Sequence, residues 1–286
     1  MTPVSTAANR AAFLLKRRGP MFITGCWRAA TGARAPLPSF LIPGMGRSGT
    51  TTLTKVLLQH PRIVAPYTKQ LDFFTNYYVL GLRWYRAMLD RDQAPMQASP
   101  ITFDATHFLT RPETARRVAR LLPDTKLIVL LRNPADLVIS RYHHRNRRSG
   151  TASAMERRLT DEIAFFEPLL ELPFQEIHVR ARRYPRRPTT CHNGLYAHIL
   201  AHWLQHVPRG RFMIIRSEDF YADQKRTADR IFRFVDAPPF ETTGTIHENR
   251  GAYDPPDPAL YQRLTAFFKK ANHNLVDLAG AGFHWD

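Results

Sequence analysis

A glycine-rich loop between an apolar segment and a helix-forming segment constrains the fold of this chain more than any other stretch. Residues 39–52 read SFLIPGMGRSGTTT, and the short apolar start predicts a buried strand. Gly44 and Gly49 have the spacing of the common nucleotide-binding loop, G-x-x-x-x-G-K-[ST], yet Thr50 stands where that loop has lysine. The nearby cation is Arg47, ahead of the second glycine. The sequence therefore predicts a phosphate-binding loop that lacks the usual lysine.

Several groups of this loop favour an anion over an empty glycine-rich turn. Glycines permit positive φ and a close approach of the backbone to a ligand. A helix that starts at about Thr50 directs its free N–H groups and its dipole at the loop. Arg47 adds a guanidinium that can bind phosphate through two hydrogen bonds. The residues predicted to bind the ligand are Gly46, Arg47, Ser48, Gly49, Thr50, Thr51 and Thr52.

Strand and helix patterns alternate along the chain, which predicts an α/β fold: a P-loop-like, three-layer α/β/α domain with a central, mostly parallel sheet. In such sheets ligands bind at the carboxyl ends of the strands. The predicted strands are 39–44, 62–66, 101–105, 125–134 and 210–219, and the predicted helices are 51–60, 76–90, 111–124, 134–150, 157–172, 194–208, 223–235 and 257–279.

The balance of charge points to anionic partners. The 286 residues carry a formal net charge of +17, which suits nucleic acid, a membrane surface, a nucleotide or an acidic polymer. Cys26 and Cys191 are the two cysteines, so neither a disulfide framework nor a zinc cluster is indicated. Residues 1–37 form a basic N-terminal extension, for which a solvated tail is the favoured interpretation and contact with a membrane surface the alternative. No signal peptide or membrane span is recognisable, and the expected location is the cytoplasm.

Two segments resemble sulfotransferases that use 3′-phosphoadenosine 5′-phosphosulfate (PAPS). PGMGRSGTTTL is similar to the family's 5′-phosphosulfate loop, in which a basic residue precedes a Ser/Gly-Gly-Thr turn, and Arg47 matches that residue. KLIVLLRNPADLVISRYHH is similar to the strand and helix that bind the 3′-phosphate, and Arg132 and Ser140 match the pair that grips it. Ser140 lies about two turns into the helix, so both side chains can face one site.

Other segments resemble the heparan-sulfate-type, carbohydrate branch of that family and its bacterial relatives. Residues 68–89 are similar to its Lys-Glu-x-His-Phe-Phe segment and the Gly-x-x-Trp-Tyr that follows. Residues 192–220 resemble its Gly-x-Tyr…Trp-Leu helix and the next strand, and residues 267–286 resemble its C-terminal pattern. The resemblance implies a single sulfotransferase domain over residues 38–286, PAPS as sulfuryl donor, 3′,5′-phosphoadenosine (PAP) as product and no metal.

The resemblance also implies the chemistry and its residues. An acceptor hydroxyl or amine attacks sulfur in line, and PAP leaves. Arg47 would stabilise the leaving phosphate; the family more often has lysine there, and arginine keeps the charge but changes the geometry. Lys69 is expected near the sulfuryl group.

The general base departs from the family pattern. Gln70 stands where the family has its glutamate base, and an amide does not accept a proton near neutral pH. Asp72 would share a face with Gln70 along an extended segment, so we expect Asp72 to be the base and Gln70 to orient the acceptor. His107 and Asp104 are the next candidates, because TFDATHF resembles the family's stretch near the acceptor.

Three further groups of residues bear on the predicted site. HENRGAY, residues 247–253, occupies the place of the family's loop that closes over the nucleotide, which makes Arg250 and Gly251 expected cofactor-binding residues. The histidines at 192, 198, 202 and 206 favour a surface or half-buried helix face over a metal site. A basic rim that suits an acidic glycan is predicted from Arg141, His143, His144, Arg145, Arg147, Arg148, Arg180, Arg182, Arg183, Arg186 and Arg187.

The predicted function is therefore sulfuryl transfer to an anionic or neutral glycan, with the oligomeric state left open. A sulfotransferase for a small molecule or lipid on the same scaffold is the first alternative. A P-loop kinase is disfavoured by the missing loop lysine and by Arg132 at the tip of the strongest strand. A basic nucleic-acid-binding protein fits the charge, but no basic platform interleaved with aromatic residues is recognisable, and no specific nucleic acid is expected.

Overall fold

A five-stranded parallel sheet forms the centre of the molecule. The computed structural model describes residues 19–32, 35–89, 100–146, 151–185, 189–248 and 255–285. The strands lie side by side in the order β2-β3-β1-β4-β5, and all their pairings are parallel. They are β1 (Phe40–Leu41), β2 (Ile63–Val64), β3 (Ile101–Asp104), β4 (Lys126–Leu131) and β5 (Phe212–Arg216).

Helices cover both faces of this sheet. Pro is the first residue of α4, α5 and α11, where its missing N–H has no helical partner to lose. The helices are α1 (19–30), α2 (Thr50–Leu57), α3 (Gly81–Leu89), α4 (Pro112–Leu121), α5 (Pro134–Arg145), α6 (Ala152–Phe166), α7 (Phe174–Ala181), α8 (Tyr196–Leu204), α9 (Ser217–Ala222), α10 (Gln224–Phe234), α11 (Pro258–Ala271) and α12 (Leu275–Ala279).

The apolar run of β4 explains why the sheet has a core on each side. Leu127, Val129 and Leu131 pack into a cluster with α3, α4 and α8, whereas Ile128 and Leu130 pack into a second cluster with α2 and α10. Successive side chains of a strand point to opposite faces, so a strand that is apolar throughout must be covered twice. The predicted three-layer α/β/α fold with a parallel sheet is confirmed.

Several predicted elements differ from the structure. The helix predicted for 76–90 begins only at Gly81, whose φ of 73° favours glycine, after a π-helical turn over Phe73–Tyr77 and a 3₁₀ turn over Tyr78–Leu80. The helix predicted for 257–279 is divided into α11 and α12. Helices α7 and α9 were not predicted, because the arginines that begin at Arg180, near the end of α7, and the polar start of α9 resemble loop sequence.

The solvated tail favoured for residues 1–37 is wrong for the part of the extension that the structure describes. Residues 19–30 form α1, and Arg28 in it is buried and donates from Nε to the carbonyl of Ala87 at 3.0 Å. The side of α1 that packs on the rest of the protein consists mainly of Gly25, Arg28 and the small residues around them. This side lacks the usual apolar stripe. Within the described residues, no helix combines the length and the apolar character needed to cross a membrane.

Candidate active site

A cavity of about 700 Å³ opens at the carboxyl ends of the strands, above β1, β4 and β5. Strand order changes direction at β1, because β3 and β4 lie on either side of it, and such a crevice is where parallel α/β sheets bind ligands. The cavity is lined by Gly46, Arg47, Gly49, Thr50, Thr51, Thr52, Gln70, His107, Arg132, Asp136, Ser140, Arg141, His144, Arg145, Ser217, Glu218, Tyr221, His247 and Glu248.

The loop between β1 and α2 takes up left-handed backbone at three positions. Gly46, Arg47 and Gly49 have φ values of 75°, 67° and 89°. A Cβ atom at Gly49 would lie 3.0 Å from the hydroxyl of Tyr221, so the glycine is required by space as well as by conformation. Left-handed backbone is costly for arginine, and such strain is characteristic of functional sites.

The first turn of α2 is open to a ligand. Gly49 precedes the helix and has no side chain to cap the free N–H groups, and the first turn contains no acidic residue. Thr51 Oγ1 accepts from Lys69 Nζ at 2.7 Å, and Thr52 Oγ1 is 3.2 Å from the Tyr221 hydroxyl. Partial burial lowers the pKa of Lys69. The helix N-terminus and these hydroxyls form one wall of an anion site.

The two segments predicted to bind the two ends of the donor come together in this cavity. Arg47 Nε donates to Ser140 Oγ at 3.0 Å, and an Arg132 guanidinium nitrogen donates to the carbonyl oxygen of Arg47 at 3.3 Å. The carbonyl of Arg132 is held in turn by the Tyr196 hydroxyl at 2.7 Å. Asn133 accepts from the backbone N–H groups of residues 135 and 136, which starts α5 directly after Arg132.

Ser48 differs from its neighbours in the loop. Its side chain is buried, outside the cavity wall, and its Oγ has no hydrogen-bond partner among the described residues. Its carbonyl accepts from Ser217 Oγ at 2.8 Å, which ties the loop to the end of β5. The predicted role of Ser48 in donor binding stays a prediction.

Gln70 and His107 form a further part of the cavity wall. The Gln70 amide nitrogen lies 3.3 Å from His107 Nδ1. Loss of hydration, followed by the positive charges of Arg141, Lys69 and His144, lowers the pKa of His107 to about 4. The ring is exposed to the cavity, so water screens part of this effect, but its direction keeps the imidazole neutral at neutral pH.

Asp72 lies on the same segment as Gln70. The extended backbone on which its assignment as the base depended is not found there. Gln70 and Asp72 have φ values of 62° and 54°, so the segment is not extended and alternation does not put their side chains on one face. Asp72 is not among the residues that line the cavity, and its N–H donates to Thr106 Oγ1 at 3.4 Å. Its assignment as the base stays a prediction.

Asp104 is buried beneath this segment. Its carboxylate accepts from the Tyr85 hydroxyl at 3.1 Å and from Thr106 Oγ1 at 2.5 Å. Burial raises the pKa of Asp104 to about 6, although these hydrogen bonds oppose the shift, and the nearby charge of Asp72 adds to it. Leu71 also donates its N–H to this carboxylate, so Asp104 fixes the backbone between Gln70 and Asp72.

The predicted basic rim is divided. Arg141, His144 and Arg145 line the cavity, and Arg141 donates to the carbonyls of Met45 and Gly46, so it supports the loop. The arginines at 180, 182 and 183 are exposed at the end of α7, outside the cavity wall. Outside the described residues lie Arg147, Arg148, Arg186, Arg187, Arg250 and Gly251.

The histidines of the region around α8 make separate contacts. His198 and His202 each meet a backbone carbonyl, of Leu170 and Pro112 respectively, both at 2.8 Å. His192 is paired with His178, and His206 stacks edge-on against His202. Among the described residues, no group of three or more His, Cys, Asp or Glu side chains is arranged to hold a metal ion.

Sequence reasoning missed the wall that α9 and the segment before 249 provide. The Tyr221 ring stacks on the His247 ring, with centroids 5.6 Å apart and planes 8° apart, and Glu248 donates its N–H to Thr52 Oγ1 at 3.2 Å. Ser217 and Glu218 directly follow β5, so the rule that ligands bind at strand ends could have identified them. The stack depends on the folding back of a distant segment, for which the sequence has no signal.

Comparison with known proteins agrees with this geometry. The sulfotransferase domain family matches residues 37–250. Heparan sulfate glucosamine 3-O-sulfotransferase 6 from Mus musculus is 28% identical over 316 residues, covering 99% of this chain and 83% of that protein. A bifunctional heparan sulfate N-deacetylase/N-sulfotransferase from Caenorhabditis briggsae is 23% identical over 229 residues, covering 77% of this chain and 25% of that protein.

A solved structure shows the same fold. The sulfotransferase from Alicyclobacillus acidocaldarius superimposes with a TM-score of 0.63 and 24% sequence identity, covering 86% of this chain and 96% of that one. The family match spans most of the chain, including the phosphate loop, Arg132 and Ser140. The chain therefore belongs to the sulfotransferase family and is an enzyme that transfers the sulfuryl group of PAPS.

Proposed function

We propose that this sulfotransferase modifies a hydroxyl of a carbohydrate acceptor, and that residues 38–286 form its single catalytic domain. The observation that carries the proposal is the junction of Arg47, Arg132 and Ser140 in one cavity, next to an acceptor wall of Gln70 and His107. The relatives named above act on heparan sulfate, by their names at oxygen in one case and at nitrogen in the other. An amine of the same glycan is therefore the second acceptor group to test.

We expect the cavity to hold the donor at its two ends. Arg132 and Ser140 would hold the 3′-phosphate, and the N–H groups and hydroxyls of α2 would hold the 5′-phosphosulfate. Arg47 lies between them: its side chain now contacts Ser140, and its positive φ places its backbone beside the turn. Lys69 approaches the 5′ end through Thr51.

Acceptor recognition would use the basic part of the wall. His144 and Arg145 line the cavity beyond the donor residues, and their positive charge suits the carboxylates or sulfates of an acidic glycan. Arg145 is anchored by a hydrogen bond from its guanidinium to the carbonyl of Thr189 at 3.2 Å. An anchored cation loses less side-chain entropy when it binds an anion.

His107 is the base that the geometry favours, with Asp72 as the alternative. The contact of 3.3 Å between Gln70 and His107 Nδ1 is long for a hydrogen bond, so an acceptor hydroxyl can replace the amide at that nitrogen. Besides burial, the charges of Arg141, Lys69 and His144 lower the pKa of His107. The negative charges of PAPS would offset those cations and raise the pKa of His107 toward the range of an effective base.

The transfer forms one bond to sulfur and breaks another. The acceptor oxygen forms a bond to sulfur, and the bond between sulfur and the bridging oxygen of the 5′-phosphate breaks. The acceptor proton passes to His107, and the phosphate oxygen of PAP keeps the electron pair of the broken bond. Arg47, Lys69 and the N–H groups of α2 stabilise the charge on that oxygen.

Radiolabelled sulfate transfer tests the proposal. Sulfur-labelled PAPS would be offered with desulfated glycosaminoglycans, simple glycosides, phenols and lipids, and the label is expected on the glycan. Label on phenols or lipids alone would contradict the carbohydrate acceptor while leaving the sulfotransferase activity intact. His107→Gln and Asp72→Asn, measured together for turnover and for PAP affinity, separate the two bases: the true base loses turnover and keeps nucleotide binding.

A further inference from the structure

Helix α1 presents an outward face made entirely of apolar residues. Phe22, Ile23 and Trp27 are 43%, 67% and 64% exposed, and Cys26 and Ala30 on the same side are exposed as well. Positions i, i+1, i+4 and i+5 share one side of a helix. The outward face of a surface helix normally carries polar or charged side chains, and contiguous exposed apolar residues mark an interaction surface.

The opposite side fixes the orientation of this face. Gly25 packs so closely on the indole of Trp84 that an added Cβ would lie 2.1 Å from its Nε1. Arg28 donates to the carbonyl of Ala87, and Arg83 donates from α3 to the carbonyl of Ala29 at 3.0 Å. The helix is therefore attached to the catalytic domain through α3, and the apolar side chains are left to point away from the protein.

The charged residues of the sequence before Asp72, which includes α1, are all basic. The first acidic residue of the chain is Asp72. Lys16, Arg17 and Arg18 immediately precede α1 in the sequence, and the exposed Arg83 lies at its C-terminal end. Basic residues close in sequence to an apolar helix face attract anionic lipid headgroups when that face meets a bilayer surface.

We propose that α1 docks this protein on the surface of a bilayer that contains anionic lipids, with Phe22, Ile23 and Trp27 inserted among the headgroups. Tryptophan and phenylalanine are preferred at that depth, and an interfacial helix combines such a face with flanking basic residues. A second copy of this chain is a poorer occupant, because two molecules with a charge of +17 would bring like charges together at this contact.

The inward side of α1 contacts the chain just ahead of Lys69. The Arg28 guanidinium lies 4.8 Å from the centroid of the Tyr67 ring, and the N–H of Tyr67 donates to the carbonyl of Met88 at 2.9 Å. Tyr67 is two residues ahead of Lys69 in the sequence. Arg28 and Tyr67 therefore link α1 to the segment that carries Lys69 and Gln70. Docking through α1 is independent of which acceptor the enzyme uses.

Vesicle cosedimentation with the full chain tests the proposal. Binding is expected to vesicles of phosphatidylcholine mixed with phosphatidylserine and to weaken with salt, because headgroup attraction is screened. The variant Phe22→Ser/Trp27→Ser should bind roughly a hundredfold more weakly, about tenfold for each side chain lost. The matched control Val179→Ser/Val276→Ser replaces side chains that are 49% and 41% exposed elsewhere, and it should bind like wild type.

Tryptophan fluorescence gives a second readout and identifies other occupants. The difference between wild type and Trp27→Phe isolates one of the four tryptophans, which should be quenched by acrylamide without vesicles and shift to the blue with them. The proposal is overturned by wild-type binding in the Phe22→Ser/Trp27→Ser variant, or by no binding to anionic vesicles. Protection of Trp27 from acrylamide before vesicles are added would also overturn the proposal, because residues 1–18 would then cover the face. A dimer that the same variant abolishes would show that a second copy does.

Discussion

Lowering the pH from 7 to 5 should destabilise this protein through two histidines that contact each other in its interior. His178 Nδ1 and His192 Nε2 are 3.2 Å apart, and the side chains are 9% and 6% exposed. Burial lowers the pKa of both rings, with the charge of Arg111 next for His178 and that of His178 next for His192. Protonation would place two like charges in contact without water, so the native pair stays neutral.

The magnitude follows from the unfolded state. There each histidine titrates near its ordinary pKa of 6.5. A lowered native pKa means that the unfolded chain binds more protons, so stability is present above pH 6.5 and is lost as the pH falls. Once the native pKa lies below 5, its exact value no longer matters, and each histidine costs about 2 kcal/mol between pH 7 and 5. The pair costs about 4 kcal/mol, a large part of a typical unfolding free energy.

Asp104 acts in the opposite direction over the same interval. Its native pKa is raised to about 6, so the native state keeps its proton more readily than the unfolded chain. On acidification from pH 7 to 5 this contributes about 1 kcal/mol in favour of the native state. The effect is common to wild type and to any histidine variant, and it cancels when their pH profiles are subtracted.

The assay is urea unfolding at pH 7 and at pH 5, in wild type and in His192→Phe. Phenylalanine preserves the stacking of ring 192 on Phe174, where the centroids are 5.4 Å apart. The variant should lose about 2 kcal/mol less than wild type on acidification. His284→Gln is the control, since it removes an exposed histidine far from the pair in sequence and should leave the profile unchanged. Equal losses of unfolding free energy in wild type and His192→Phe would show that the buried histidine pair does not cause the acid destabilisation.

Three further predictions concern the active site. Ser140→Ala removes the hydroxyl that Arg47 contacts and a predicted ligand of the 3′-phosphate, so calorimetry should show PAP affinity falling about tenfold; unchanged affinity would contradict the assignment. Gly49→Ala should lower the free energy of unfolding by about 2 kcal/mol, since φ is 89° and the new methyl meets Tyr221, and a wild-type urea midpoint would contradict this. Gln70→Glu places a carboxylate beside His107 and raises its pKa, so the acidic limb of kcat/KM should move to higher pH.

The meeting of Arg47, Arg132 and Ser140 in one cavity could be predicted from the sequence because these residues follow regular elements. Arg132 comes directly after the strongest strand, and Ser140 lies on the helix that Pro134 begins, so their meeting follows from strand and helix geometry. The glycines of the loop likewise identify where backbone must approach a ligand. Local pattern was enough here because the chain itself connects the groups.

The acceptor half could not be predicted in the same way. Gln70 and Asp72 both adopt left-handed backbone, which neither residue type predicts. The buried carboxylate of Asp104, on β3, holds that conformation. Helix α1 was likewise missed, because it is held by Gly25 and Arg28 rather than by an apolar stripe. Such features depend on contacts between distant segments, which local sequence pattern does not encode.

The strand order has a consequence for altering this enzyme. β1 lies in the middle, with β3 and β2 on one side and β4 and β5 on the other. Lys69, Gln70 and His107 belong to the first side, whereas Arg132 and Ser140 belong to the second. Gln70 and the proposed base His107 therefore lie within residues 67–110, apart in the chain from the proposed ligands of the 3′-phosphate. Exchange of residues 67–110 between relatives should change the groups around the proposed base, including Lys69, and should leave Arg132 and Ser140 in place.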